Sequence, residues 1–528
     1  MHPPFSRTIF DLLAEMAGLA PDATAVIADG KATSFSDLHS RAGNVAGALA
    51  ARGIGRGDRI GILMPNRLEW LEIFFGAASL GAVVVPFSTW SKRTELDFLI
   101  EDSGISCMFL ISAFGGQDFA DDLAALKTSG RHRHLSRLVI VGEGQRDGFE
   151  DFAAYQAGPE RGALPPGEGA SAGDCLVLLY TSGSSSRPKC VPLQHYAVIE
   201  NGFNIGERQG LARGDKVLIS IPLFWSYGAA NALPATLSHG ATMVLQSRFE
   251  AGEALDLIER HGCTGLYTLP AMTNALTAHA AFHTDRTRTL RTGVTIGSPQ
   301  DVVKAARVLG AENICNIYGS TECYGNCCVT PHTWSLDERA NSQGPPLPGV
   351  GIRIRDPETG DLVGTDTIGN IEVSGYLMPG YQGDSAQHNS AVFTPDGWFR
   401  TGDLGSLDAQ GHLHYAGRTS EMIKRSGINV SPAEVEEVLQ QHADVGLAGV
   451  TGRNDAHKGE AIVAYIIARP GANVSASDII AHCRSRLSGY KVPDIVTFAD
   501  ALPLTPTGKL MRRELRALAE AGIDSSST

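Results

Sequence analysis

At 528 residues the chain exceeds what one hydrophobic core ordinarily serves, so a large body of several subdomains and at least one separate domain are expected. The 44 basic and 57 acidic residues leave a formal charge of −13, which argues against nucleic acid or an anionic membrane as the main partner. Nine cysteines, an odd number without regular spacing, point to reduced thiols and a cytoplasmic setting. The N-terminus lacks a signal-peptide layout. The longest uncharged run, 217–247, is interrupted by Pro222, Gly228, Asn231, Pro234, His239 and Gly240, so it reads as protein interior and no membrane span is expected.

Along the chain, Ile9, Leu12, Leu13 and Met16 fall at helical spacing. A short strand at Thr24 to Ile27 and a helix from about Ser36 follow. A strand at Arg59 to Met64, a helix around Leu68 to Ala78 and a strand at Val83 continue the alternation, which means a parallel sheet with crossover helices. Gly53-Ile-Gly-Arg-Gly imitates a dinucleotide fingerprint, but it follows a helix and precedes a strand, the reverse of what that turn requires. Gly169-Ala-Ser-Ala-Gly173 matches a hydrolase elbow by letters alone, since its serine precedes a strand instead of following one.

The apolar run Cys175-Leu-Val-Leu-Leu leads into Tyr180-Thr-Ser-Gly-Ser-Ser-Ser-Arg-Pro-Lys-Cys-Val-Pro192. A flexible Ser/Gly linker would have this composition. Its place directly after a buried strand favours a phosphate loop instead, with hydroxyls at Thr181, Ser182, Ser184, Ser185 and Ser186, backbone freedom at Gly183 and charge at Lys189. The spacing of the P-loop of nucleotide hydrolases is absent.

Further on, Pro222-Leu-Phe-Trp-Ser-Tyr-Gly228 breaks a strand with aromatic residues, as pocket wall or plain core. Asn316-Ile-Tyr-Gly-Ser-Thr-Glu322 offers a ring, a hydroxyl and a carboxylate in one loop. Cys323, Cys327 and Cys328 cluster without the partners of a zinc site, so they read as structural thiols. From 349 to 417 short segments with turn signals predict a β-rich subdomain, and within it Trp398-Phe-Arg-Thr-Gly-Asp403 predicts an acid in a turn. After Gly417-Arg418 a region of roughly a hundred residues could fold separately. Its first helix is expected to start with Ser431 as cap, Pro432 in the first turn and Glu434 completing a capping box. Near the end, Leu504-Thr-Pro-Thr-Gly-Lys509 sets a lysine after a Pro/Gly turn.

Together these separated stretches, in this order and spacing over nearly the whole chain, resemble the adenylate-forming superfamily of acyl-CoA synthetases, carrier-protein adenylation domains and luciferases, and most of all the acyl-CoA synthetases. The resemblance implies an α/β fold. A large N-terminal domain (1–417) would contain parallel α/β subdomains and a β-rich subdomain at about 349–417, joined by a hinge at 418–421 to a small mobile α+β C-terminal domain (422–528). It implies ATP, Mg²⁺ and coenzyme A as cofactors and a small carboxylic acid as substrate.

By the same resemblance, Thr181 to Ser185 and Lys189 hold the departing phosphates. Ser186 and Cys190 replace family glycines, from which slower ATP turnover is expected. Tyr318 lies against adenine, Thr321 on the α-phosphate, and Glu322 holds Mg²⁺. Gly297, Ser298, Pro299 and Asn316 match positions lining the adenine, and Asp403 and Arg418 bind the ribose. Lys509 supplies positive charge to adenylation. The small domain then rotates about Ser420, where the family usually has Asp or Lys, and brings Lys424 and Gly427 to the CoA thiol. Trp225, Tyr227, Tyr324 and Gly325 form the acid pocket, where Trp225 replaces a histidine common among relatives. That pocket suits an aromatic or bulky alicyclic acid, or a shortened fatty-acyl channel. A carrier protein in place of CoA, a homodimer, and a non-catalytic nucleotide-binding homologue remain open alternatives.

Overall fold

A computed structural model describes residues 7–144, 146–157, 169–181, 188–425, 428–455, 457–505 and 510–522. The fold is mixed α/β, with a large N-terminal domain built on parallel sheets and a smaller C-terminal domain. One sheet of seven strands runs in the order Lys189–Gln194, Cys175–Thr181, Val83–Pro86, Arg59–Leu63, Cys107–Leu110, Arg137–Ile140, Glu150–Asp151. A second of eight runs Cys328–Val329, Asn313–Tyr318, Thr292–Thr295, Gly265–Tyr267, Lys216–Ile219, Thr242–Leu245, Thr24–Ala28, Lys31–Ser34. Their interior strands are parallel and their antiparallel pairs lie at the edges. The interior strands are almost continuously apolar because helices cover both faces.

One large core, which includes Trp70, Phe74, Phe75 and Phe109, runs through both sheets. The helix Ile9–Leu19 shows how sequence sets an element: Thr8 and Asp11 cap it reciprocally, and Ile9, Leu12, Leu13 and Met16 form its buried stripe. The short strand Lys31–Ser34, antiparallel to Thr24–Ala28, was not legible because its exposed Lys31 and Ala32 give no alternation.

The β-rich region is a four-stranded antiparallel sheet, Gly351–Arg355, Gly369–Ser374, Phe399–Leu407 and Leu413–Arg418. Asp403 belongs to the third of these strands and not to a turn, because the chain stays paired through it, with Asp403 opposite Arg418. The C-terminal region has its own sheet and cores, around Ile423, Val450 and Ile462 on one face and Val463, Tyr465 and Leu515 on the other. Its first helix, Pro432–Gln440, starts as expected on Ser431, whose Oγ accepts from the Glu434 N–H. The capping box is not completed: the Glu434 carboxylate pairs with Lys491 at 2.5 Å, an ionic partner that outcompetes a backbone N–H.

Among the described residues no helix is long and apolar enough to cross a membrane. All nine cysteines are free thiols, and eight of them are buried.

Candidate active site

Where the two parallel sheets, the four-stranded sheet and the start of the C-terminal region meet, a cavity of about 910 Å³ opens. Strand ends and the loops that leave them form its walls, the usual position for ligands in open α/β sheets.

The serine-rich stretch is anchored at both ends. Thr181 and Lys189 face each other across the antiparallel pair Cys175–Thr181 and Lys189–Gln194, and both line the cavity. Ser182, Gly183, Ser184, Ser185 and Ser186 lie outside the described residues. Below Thr181, the Tyr180 hydroxyl donates to Asp102 Oδ2 at 2.7 Å. Burial first, then the neighbouring Cys190 and Asp102, push its phenol far up, so it stays a donor. Burial likewise lifts the Cys190 thiol to about 11. Lys189 Nζ lies 5.0 Å from the centroid of the Tyr381 ring, a cation–π distance. The Tyr381 hydroxyl in turn donates to Glu322 Oε1 at 2.7 Å, with its pKa raised by burial and then by that carboxylate.

A second polar group gathers three strands. Tyr318, at the end of Asn313–Tyr318, donates its hydroxyl to Asp403 Oδ2 at 2.8 Å. Arg418 Nε stands 3.2 Å from Asp403 Oδ1. Burial opposes the Arg418 charge, but the Asp403 carboxylate, with Glu421 adding to it, outweighs burial and raises its pKa. Asp403 is only 5% exposed, and the Tyr318 ring packs at 5.6 Å against Tyr415. Arg418, Thr419 and Ser420 all line the cavity.

The far end is apolar. Trp225 sits edge-on to Trp90 at 5.1 Å, beside Phe224. The same Trp225, with Leu269 and Ala271, separates this cavity from a second of about 590 Å³, which Leu504 and Thr505 of the C-terminal region also line.

 Tyr227 opens the π-helical turn Tyr227–Ala232 and reaches the carbonyls of Val294 at 2.9 Å and Thr268 at 3.2 Å, so its ring is fixed as a rigid wall. Thr321 Oγ1 donates to Ser226 Oγ at 3.0 Å and ties the polar loop to this aromatic turn.

The loop after Glu322 leaves no room for a side chain at Gly325. Tyr324 and Gly325 both have positive φ, +58° and +92°, and a Cβ on Gly325 would meet Asn231 Nδ2 at 1.9 Å. Asn201 and Asn231 donate to the Tyr324 carbonyl at 3.1 and 3.0 Å, which fixes that turn from beneath.

Several expected site residues stand elsewhere. Asn316 is fully buried and commits its amide to Ser342 O at 3.0 Å and to the Ile317 N–H, so it does not line the cavity. Tyr324 points into the core, where its hydroxyl accepts from the Gln194 N–H at 3.2 Å, and Gly325 and Asn326 line the wall in its place. Gly297 lines the cavity, whereas Ser298 and Pro299 cap and open the helix Pro299–Arg307. Lys424 is exposed on Ile423–Arg425, away from the cavity lining. Gly427 and Lys509 lie outside the described residues. Sequence reasoning missed Tyr381, Ser226 and Asn326 on the wall. Tyr381 follows a Pro-Gly turn, but nothing local reveals that it meets Glu322 from 59 residues away.

The donor set suits a hard cation. Glu322 lines the cavity with one carboxylate oxygen engaged by Tyr381, which leaves the other as an oxygen ligand beside the phosphate-loop anchors. Such an oxygen donor fits Mg²⁺.

A sheet-end cavity that gathers Thr181 and Lys189, Glu322 and an Asp–Arg–Tyr group is the arrangement expected of an adenylate-forming enzyme. The comparisons agree. Residues 13–382 match the AMP-binding enzyme family, and 434–509 match the AMP-binding enzyme C-terminal domain. The chain therefore belongs to the AMP-binding enzyme family, and within it is most like the acyl-CoA synthetases. It is 31% identical to a putative acyl-CoA synthetase, YngI, of Bacillus subtilis (strain 168), over 96% of each chain. A feruloyl-CoA synthase of Amycolatopsis sp is 32% identical over 95% of this chain and 96% of its own. Among solved structures, the anthranilate CoA ligase AuaEII in complex with anthranoyl-AMP is similar with a TM-score of 0.88 and 27% identity, over 98% of both chains.

Proposed function

We propose that the protein is an ATP-dependent carboxylic acid–CoA ligase that works through an acyl-adenylate and releases AMP and pyrophosphate, with a compact aromatic acid as its substrate. The observation that carries this reading is the convergence on one cavity of Thr181 and Lys189, Glu322, Arg418 and the Trp225–Tyr227 turn, which are far apart in sequence.

In the first half-reaction the acid's carboxylate attacks the α-phosphorus of ATP and pyrophosphate leaves. Both partners are anionic, so the protein's task is to place positive charge and donors where negative charge develops. Lys189 does so at the phosphate end, and Thr321 offers a hydroxyl held by Ser226. Lys509 would add a cation from the C-terminal side. Thr505, four positions earlier in the chain, lines the cavity that shares Trp225 with the active site. Mg²⁺ held by Glu322 would neutralise the phosphates. Asp403, held by Tyr318 and Arg418 just behind the lining residues Thr401 and Gly402, would turn its carboxylate to the ribose hydroxyls when the nucleotide is bound. No general base is required, because the attacking carboxylate is already ionised.

In the second half-reaction the CoA thiol displaces AMP. The residues 422–528 move as a unit about 418–421, withdraw Lys509, and bring Lys424 and Gly427 to the thiol's entry. The exposure of Lys424 is consistent with the adenylating arrangement of the two domains. At the acid end, Trp225 and the anchored Tyr227 present aromatic rings against which a ring-bearing acid would pack.

The test is AMP release from a panel of aromatic, alicyclic and fatty acids, with and without CoA. CoA-dependent release that is greatest with aromatic acids supports the proposal. Equal release with fatty acids overturns the substrate class, and release that needs a phosphopantetheine carrier protein in place of CoA overturns the acceptor.

A further inference from the structure

Away from the cavity, the helix Arg93–Ser103 and the segment before the strand Arg137–Ile140 bring together Asp97, Glu101, His132 and His134. Asp97 and Glu101 are one helical turn apart and face the same segment. His132 is 3% exposed, and both of its ring nitrogens meet carboxylates: Nε2 lies 2.8 Å from Asp97 Oδ1 and Nδ1 lies 3.1 Å from Glu101 Oε2. The other Asp97 oxygen holds Arg131 at 2.8 Å. His134 Nε2 lies 3.1 Å from the Ile100 carbonyl.

A neutral imidazole has one N–H. If Asp97 takes it on Nε2, a lone pair on Nδ1 faces the Glu101 carboxylate, and two acceptors at that distance repel unless a positive charge stands between them. A second ring proton would serve for that pair alone, without drawing on His134, which also offers a ligand atom within reach. A metal ion uses all three residues, because one ligand atom each from Glu101, His132 and His134 lie within 4.8 Å of one another. The outer nitrogens are already fixed as outer-sphere chemistry requires, that of His132 by a carboxylate and that of His134 by a backbone carbonyl. We propose that Glu101, His132 and His134 form a second metal site, which takes a divalent transition cation such as Zn²⁺ with water completing the shell. Two imidazoles and one carboxylate suit zinc, cobalt or nickel better than Mg²⁺ or Ca²⁺, which prefer oxygen alone. Asp97 is the positioning residue. The bound ion would clamp the segment 129–136 onto the helix, whose next residue, Asp102, holds Tyr180 at the root of the serine-rich loop.

The experiment titrates untagged, metal-stripped full-length protein with Zn²⁺ in excess Mg²⁺, against a chromophoric chelator, and repeats it with Co²⁺ to follow its visible bands. The wild type is expected to bind one equivalent. Glu101→Gln, at an exposed position, and His134→Ala should weaken that binding by about tenfold or more, and Asp97→Asn by about tenfold through loss of ring orientation. AMP formation in Mg²⁺ by the Glu101→Gln and His134→Ala variants should match the wild type, which also certifies their folding. The proposal is overturned if the wild type binds no equivalent, or if Glu101→Gln binds Zn²⁺ as tightly as the wild type.

Discussion

The two ends of the cavity are built on different principles. At the nucleotide end, side chains from distant segments bond to one another: Tyr318 to Asp403, Asp403 to Arg418, Tyr381 to Glu322. At the acid end, the backbone sets the shape, through a π-helical turn, a Tyr324-Gly325 turn at positive φ, and a tyrosine tied to two main-chain carbonyls. On the proposed reading the polar end holds one fixed ligand, ATP, so its residues are constrained in type. The apolar end need only hold a shape, which many sequences can make.

Four changes would break or sharpen that contrast. Asp403→Ala removes the buried carboxylate that Tyr318 and the half-exposed Arg418 both meet, and kcat/KM for ATP should fall by about a hundredfold or more. A smaller loss at the same end would mean that the side-chain bonds there are dispensable.

Beneath the acid end, His195 begins the helix that carries Asn201, and its Nδ1 accepts from the Ile9 N–H at 3.1 Å. Burial lowers its pKa from 6.5 to about 4, so the folded protein binds fewer protons than the unfolded chain between those values. The stability that this neutral ring contributes is present above pH 6.5 and is lost as pH falls toward 4. The unfolding free energy measured in urea should drop across that window by an amount on the order of 2 kcal/mol, and His195→Gln should flatten the drop. An unchanged slope in the variant would assign the pH response to other groups.

Trp225→Ala opens the wall shared by the two cavities. Preference among acids should shift toward larger ones by about tenfold while KM for ATP stays within about twofold. Equal changes in both would show that the two ends are not separable. Tyr381→Phe removes one hydrogen bond to a carboxylate and should lower AMP formation by about five- to tenfold, with a higher Mg²⁺ requirement. Unaltered Mg²⁺ dependence would detach Tyr381 from the metal.

This contrast also explains what the sequence made legible. The alternation from Arg59 to Val85 predicts a parallel sheet because buried strands are apolar throughout, and the polar motifs stand out because each follows such an apolar run directly. Asp403 was placed in a turn because Thr401-Gly402 reads as one, yet pairing with Arg418 holds the strand through it. Tyr324 and Asn316 look like pocket residues by their place in a motif, but their direction depends on partners such as Gln194 and Ser342, which only the tertiary fold supplies. Glu101, His132 and His134 carried no signal, since a helix and a loop some thirty residues apart must first be packed together.

The central claim is that this cavity joins an acid to AMP through an oxygen of the acid. The most direct test uses the acid that gives the greatest CoA-dependent AMP release, labelled with heavy oxygen in its carboxylate, and reads the mass of the AMP formed. One labelled oxygen transferred to AMP is the predicted result, because attack at the α-phosphorus leaves a carboxylate oxygen there when the thiol displaces the acyl group. AMP formed without label would contradict it.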